Sequence, residues 1–558
     1  MLKITFNFLI FLVVTIISLC AIAQAESFPV TIKVDAKKTL GEVNPVWRFF
    51  GADEPNYATM KDGRTTLSTL GALAPDKVYF RTHNLLTTGD GTPALKWGST
   101  NAYTEDAKGN PVYDWTIVDR IFDTYRARGV KPYVEIGFMP EALSIKPEPY
   151  QHNFRPGSGD IRTGWAYPPK DYSRWEELVY QWVRHCVERY GREEVATWYW
   201  QTWNEPNLPQ YYWGGTQEEF FKLHDHSIRA VRRALPEARV GGPDIAGAGD
   251  KYMTAFIQHV KKNKTPSDFL SFHAKGSPTT IKQDDGRSFV RMGLDVHLRA
   301  ADNEFSQIAQ DPEMKTKPVI IGESDPEGCA ACQGPANAYR NGTLYSSYTA
   351  ASFARLQEMA KGYDINLEGI LSWSFEFEDQ PYFAGFRQLT SAGINLPVMN
   401  SFKMFSKMQG QLLYSESSAQ ISLDEIMKKG VRERADVGIT ASMDDKNIYL
   451  LIWHYHDDDT VGPDAAVKLA VENLPTQFSK NTKLVQYRVD KENSNSYTSW
   501  LKMGSPIAPS NSQRSELLKA AELAAIDNRI IEIKNGLLRL DFRLPRQGIS
   551  LFVLTSNK

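Results

Sequence analysis

The chain has 558 residues, with 64 basic and 66 acidic side chains, a net charge of −2 and 42% hydrophobic residues. That length leaves room for a large core and two or three domains. With charge balanced and no block of one sign, neither nucleic acid nor an anionic membrane is expected as a partner.

Lys3 gives a positive start, an apolar run covers residues 8–17, and Ala23-Gln24-Ala25 forms a small-residue cleavage site. This order predicts a signal peptide over 1–25 and a secreted or periplasmic mature protein, since the apolar run is too short to span a bilayer. Leu19 stands where a lipid-anchor signal at Cys20 would want a small side chain. No other stretch is apolar and long enough for a transmembrane helix.

Short β-rich runs then recur with helical stretches between them, at 47–51, 77–81, 132–137, 198–203, 239–242, 269–273, 319–322 and 369–373. Eight such strands in alternation with helices predict an α/β architecture, a (β/α)8 TIM barrel over 47–408 with loop insertions. One helix is explicit: Trp175, Leu178, Val179, Trp182, Val183, Cys186, Val187 and Tyr190 recur at helical spacing and form one apolar stripe. Ser173 and Glu176 suggest a capping box at its start and Gly191 its stop. Cys186 is then a core thiol. Cys329 and Cys332 are expected to form a local disulfide or remain free thiols, because no further ligands stand at metal spacing.

After residue 409 the pattern changes to β-rich runs at 436–442, 447–454, 483–489, 530–534, 537–542 and 548–555, separated by turns such as Asp444-Asp445-Lys446-Asn447. This predicts a C-terminal antiparallel β-sandwich over 409–558. The segment 26–46, with a strand at 30–34, is expected to join it.

Two strand ends carry chemistry. Trp203-Asn204-Glu205-Pro206-Asn207 closes the fourth barrel strand, and Val319-Ile320-Ile321-Gly322-Glu323-Ser324-Asp325 closes the seventh. In this fold the C-terminal strand ends make the mouth where reactions occur. Two carboxylates facing each other there fit glycoside hydrolysis, with one acting as acid and the other as nucleophile. Asn204 is placed to bond a sugar hydroxyl. Asp325 and Glu327 are rivals to Glu323 but lie further along the loop.

These strings, with Lys131-Pro132-Tyr133-Val134-Glu135-Ile136-Gly137-Phe138-Met139-Pro140 and Val240-Gly241-Gly242-Pro243-Asp244, resemble glycoside hydrolase family 39, the family of β-xylosidases and α-L-iduronidases, from about residue 51 to 405. The resemblance implies Glu205 as acid/base, Glu323 as nucleophile and net retention. It also implies sugar-binding histidines at His83 and His273 and an aromatic platform at Trp373. Glu376 and Glu378 are read either as hydroxyl binders or as part of the rim, and Glu135 as a buried structural acid. Where the family's xylosidases carry Tyr, this chain has Lys275, which looks like the iduronidase branch. Arg387 stands about where that branch has a second carboxylate-binding cation.

The expected function is therefore a retaining exo-glycosidase acting on plant-type oligosaccharides, first a β-D-xylosidase and alternatively an iduronidase-like uronidase. No cofactor or metal is expected, and the partner is a glycoside. A non-catalytic carbohydrate-binding protein is the alternative of another class, but binding alone needs neither carboxylate.

Overall fold

The computed structural model describes residues 27–93, 100–150, 162–247, 250–373 and 375–556. The expected signal segment lies outside them. Among the described residues no helix is long and apolar enough to cross a membrane.

Eight parallel strands close into a barrel in sequence order: β1 (Phe49–Ala52), β2 (Val78–Thr82), β3 (Val130–Ile136), β4 (Tyr199–Thr202), β5 (Arg239–Ala246), β6 (Phe269–Lys275), β7 (Val319–Asp325) and β8 (Leu367–Ser372). All eight lie where the sequence predicts them. β5, β6 and β7 run two to four residues further toward the mouth than the apolar runs alone suggest.

Side chains two apart on a strand share a face, and this period builds the barrel interior in layers. Phe49, Tyr79, Tyr133, Tyr199 and Phe269 form an aromatic floor, with ring centroids 4.9 Å apart for Tyr79 and Tyr199 and 5.2 Å for Tyr199 and Phe269. One step up come Arg81, Glu135, Gln201 and Ser271, all fully buried. Another step up lie His83 and His273, at the rim where the loops begin. The barrel is thus dry and apolar below and charged above, which forces its polar groups to satisfy one another.

The apolar stripe belongs to the helix Tyr172–Tyr190, with Trp175, Leu178, Val179, Trp182, Val183 and Cys186 buried. Its cap differs from the expectation. Asp171, not Ser173, accepts from the backbone N–H groups of Ser173 and Arg174, and Glu176 instead pairs with His226 at 2.7 Å. The helix stops at Gly191, whose φ of +87° suits glycine.

The second domain is a nine-stranded sheet in the order Ala525–Ile531, Thr482–Val489, Ile549–Thr555, Asn447–Tyr455, Asp436–Met443, Gln411–Ser417, Ser27–Glu42, Asp464–Glu472 and Leu538–Leu544. Its inward side chains, among them Val30, Ile32, Val437, Ile452, Val467 and Leu554, make a core separate from that of the barrel. Pairing is antiparallel except between Ser27–Glu42 and Asp464–Glu472, which run parallel. Two strands, Gln411–Ser417 and Asp464–Glu472, were not expected, and the run at 530–534 belongs to an earlier strand, Ala525–Ile531. Two short helices of this domain, Ser496–Lys502 and Asn511–Ala520, brace the loop after β8. Phe383 packs on Tyr497 and Trp500, and Arg514 donates to the Tyr382 hydroxyl. Cys329 and Cys332 are joined as a disulfide, and Cys186 is a buried free thiol.

Candidate active site

Glu205 and Glu323 emerge from β4 and β7 into one pocket at the C-terminal end of the barrel. Oxygens of the two carboxylates and a nitrogen of His273 lie within 4.8 Å of one another. Both glutamates are nearly shielded from solvent, at 6% and 2% exposure.

The β4 end is shaped by its own backbone. Trp203 and Glu205 adopt left-handed conformations, with φ of +68° and +41°, a strain that such sites often hold. Cross-strand bonds fix it. The Glu205 N–H donates to the Asp244 carbonyl at 2.9 Å, and the Asn207 side chain both donates to and accepts from Ala246. Asn207 thus sews the β4 loop to β5. Asn204 faces the interior, where its Oδ1 accepts from Arg81 at 2.7 Å, while its buried Nδ2 has no acceptor among the described residues.

Lys275, two residues after His273, projects to the same side. Its ammonium donates to Glu323 Oε2 and stands 3.5 Å from Glu205. Arg81 reaches Glu323 Oε1 at 3.2 Å. Burial opposes the charge on Glu323, but Lys275, His273 and Arg81 prevail and hold it well below the usual carboxylate range. Glu205 is also lowered: burial again opposes, and Lys275 and the His273 bond outweigh it. Burial would likewise neutralise Lys275, yet Glu323 and Glu205 raise it above the ordinary lysine value.

His273 is clamped between carboxylates, with Nδ1 2.8 Å from Glu205 and Nε2 2.8 Å from Asp244. Burial disfavours its charge, but Asp244 and Glu323 raise its pKa to about 9. Glu205, His273 and Glu323 have the composition of a metal site, but a cation of the chain already occupies it. The Lys275 ammonium, paired with Glu323 and 3.5 Å from Glu205, stands where an ion bound by the two carboxylates would sit.

His83 packs against Trp373 with centroids 4.4 Å apart and ring planes tilted by 34°, its Nε2 3.6 Å from Glu323. Trp373 donates from Nε1 to Asp53 at 3.1 Å. It crosses the barrel end because residue 51 is glycine: a Cβ there would meet the indole at 2.2 Å. The Tyr212 ring closes the pocket, edge-on to His83 at 5.9 Å.

The structure therefore brings Glu205, Glu323, His83, Asn204, His273, Lys275 and Trp373 together. Arg387 is the correction. Its guanidinium is fully buried and committed to Asp325 at 3.3 Å, to Glu327, and to the Trp373 carbonyl at 3.1 Å. It clamps the β7 and β8 loops and is shielded from solvent. The same clamp removes the rivals Asp325 and Glu327 from the pocket. Glu376 and Glu378 are also internal. Glu376 accepts from the Thr390 hydroxyl and the Ala392 N–H, and Glu378 accepts from the N–H groups of Asp62 and Gly63 at a helix start. Glu135 pairs with Arg81 at 2.7 Å, with no exposure.

The sequence reading assigned no role to Arg81 or Asp244. Both had a signal: a charged residue at an inward position of an apolar strand must find a buried partner.

The chain matches the family model Glycosyl hydrolases family 39 over residues 30–534. It is 27% identical over 464 residues to a β-xylosidase of Geobacillus stearothermophilus, which covers 80% of this chain and 81% of that one. It is 22% identical over 577 residues to an α-L-iduronidase of Mus musculus, at 95% and 81% coverage. Its fold is similar to that of a monomeric β-xylosidase from Caulobacter crescentus CB15, with a TM-score of 0.73 at 22% identity, covering 95% of this chain and 100% of that one. The strand-end carboxylates, the barrel and this match agree: the chain belongs to glycosyl hydrolase family 39 and is a glycoside hydrolase.

Proposed function

We propose that the protein is a retaining exo-β-D-xylosidase in which Glu323 is the nucleophile and Glu205 the acid/base. The observation that carries this reading is the separation of the two carboxylates. An oxygen of one lies within 4.8 Å of an oxygen of the other, closer than the roughly 6.5–9.5 Å of inverting pairs and in keeping with the roughly 5–5.5 Å of retaining ones.

Glu323, ionised between Lys275 and Arg81, attacks the anomeric carbon while Glu205 protonates the departing oxygen. The glycosyl–enzyme ester is then hydrolysed by a water that ionised Glu205 deprotonates. Esterification removes the Glu323 charge, which frees Lys275 to pair with Glu205 in the second step. The Asn204 Nδ2, which lacks an acceptor among the described residues, is free to donate to a sugar hydroxyl. The Trp373 and His83 rings provide an apolar wall for the sugar's C–H face. Near-complete shielding of both carboxylates suits one terminal sugar better than a threaded chain.

The xyloside assignment rests on similarity to a β-xylosidase at 27% identity. A uronide is the second reading, favoured by one observation, the Lys275 ammonium within the pocket. Export to an oxidising compartment is proposed from the signal-like N-terminus and is supported by the Cys329–Cys332 disulfide.

The test is hydrolysis of a panel of nitrophenyl glycosides, neutral and uronic, with the first-formed anomer read by proton NMR. β-Xyloside turnover with retention is expected. An inverted product would overturn the mechanism, and turnover of uronides alone would overturn the sugar.

A further inference from the structure

Asp244 ends the Val-Gly-Gly-Pro-Asp string and is wholly buried, so it touches no substrate. Its backbone is left-handed, with φ of +56°, a conformation Asp tolerates better than most residues. A single oxygen, Oδ2, gathers three donors from three strands: His273 Nε2 at 2.8 Å, Gln201 Nε2 at 2.7 Å, and the Arg81 guanidinium. Space for this carboxylate comes from the next strand but one. A Cβ on Gly322, the residue before Glu323, would lie 2.1 Å from Asp244 Oδ1. The glycine in the seventh-strand string is therefore a socket for a side chain of the fifth.

We propose that Asp244 is a positioning residue for Glu205, acting through His273. The imidazole has two ends, and each faces a carboxylate. With Asp244 on Nε2, the ring carries both hydrogens and directs Nδ1–H at Glu205. Without that anion a neutral ring keeps one hydrogen. If it sits on Nε2, a bare Nδ1 faces Glu205 and competes for the proton the leaving group needs. The other charges facing His273 are Glu323, 3.7 Å from Nδ1, and Lys275 two residues along the same strand; Arg81 lies on the far side of the Asp244 carboxylate. The raised His273 pKa, about 9, has the Asp244 charge as its leading favourable cause and burial as its main opponent. This inference rests on Glu205 being the acid.

The test is Asp244→Asn, which keeps the shape and removes the charge. The His273 imidazole is followed by NMR in protein labelled at its ten histidines, its signal assigned by loss in His273→Gln. The same protein is assayed on xylosides with good and poor leaving groups. We expect the His273 titration to fall by at least about one pH unit toward the free-histidine value. We expect kcat to fall about 10²-fold on poor leaving groups and much less on activated aryl xylosides. An unmoved titration with equal losses on both substrates would make Asp244 merely structural and overturn the proposal. Gly322→Ala, which crowds the same carboxylate and removes no functional group, should shift the same two readouts, and it decides the matter should Asp244→Asn not fold. If Glu205→Ala itself shows no dependence on the leaving group, the assignment of the acid fails. If only the Asp244 variants lack that dependence, this inference alone fails.

Discussion

Lys275 donates to Glu323 and stands 3.5 Å from Glu205, so one ammonium bridges both carboxylates of the mouth. The bridge lowers the cost of burying two acids side by side, and it makes Lys275 the residue through which pH dependence and substrate choice are linked.

Replacing Glu323 by Ala should lower turnover by about 10⁴-fold or more, since it removes the attacking carboxylate. Azide should restore part of the activity and give a glycosyl azide of inverted configuration, read by NMR. A rescued product with the substrate's configuration would remove Glu323 from the nucleophile's place.

Glu205→Ala should cost about 10²–10⁴-fold on alkyl or disaccharide substrates and far less on activated aryl glycosides, because acid help matters most when the departing oxygen is basic. Equal losses across a leaving-group series would exclude Glu205 as the acid.

Lys275→Ala should move the whole pH profile upward. Lys275 lowers both carboxylates, so its loss raises the Glu323 pKa, which sets the acidic limb, and the Glu205 pKa, which sets the basic limb. The measurement is kcat/KM against pH on a matched xyloside and uronide. A loss of about tenfold to a hundredfold confined to the uronide would instead mark a charge-assisted bond to a sugar carboxylate and reverse the substrate assignment.

Arg387→Ala should act on stability rather than on selectivity. It leaves Asp325 buried without its cation, while Glu327 keeps Arg340 at 2.9 Å, a change expected to cost about 3–5 kcal/mol in denaturant unfolding. The ratio of xyloside to uronide activity should stay constant. A selective loss on uronides with unchanged stability would return Arg387 to the sugar pocket.

What the sequence determined by itself was everything carried by local pattern. Strand and helix periods and the polar residue ending each barrel strand are properties of short stretches, and they sufficed for the barrel and for the places of Glu205 and Glu323. Two strands escaped because Asp464–Glu472 is built of Ala, Leu, Lys and Val, which suit a helix as well, and Gln411–Ser417 is mostly polar. Their strand form comes from pairing with Ser27–Glu42, nearly the whole chain length away. Only the tertiary structure decided which charges meet. Arg387 and Lys275 are both cations near strand ends, yet one is spent on Asp325 and Glu327 while the other spans the pocket. Glu376 and Glu323 are both buried acids, yet Glu376 is occupied by the Thr390 hydroxyl and backbone N–H groups. A side chain's partner in a closed barrel is set by register around the ring, where residues forty to two hundred and forty positions apart come within hydrogen-bond reach, as with Gln201 and Asp244 or Arg81 and Glu323. Coulomb interactions in a buried interior are strong enough to fix function, and they depend on that distance and on the dielectric around it.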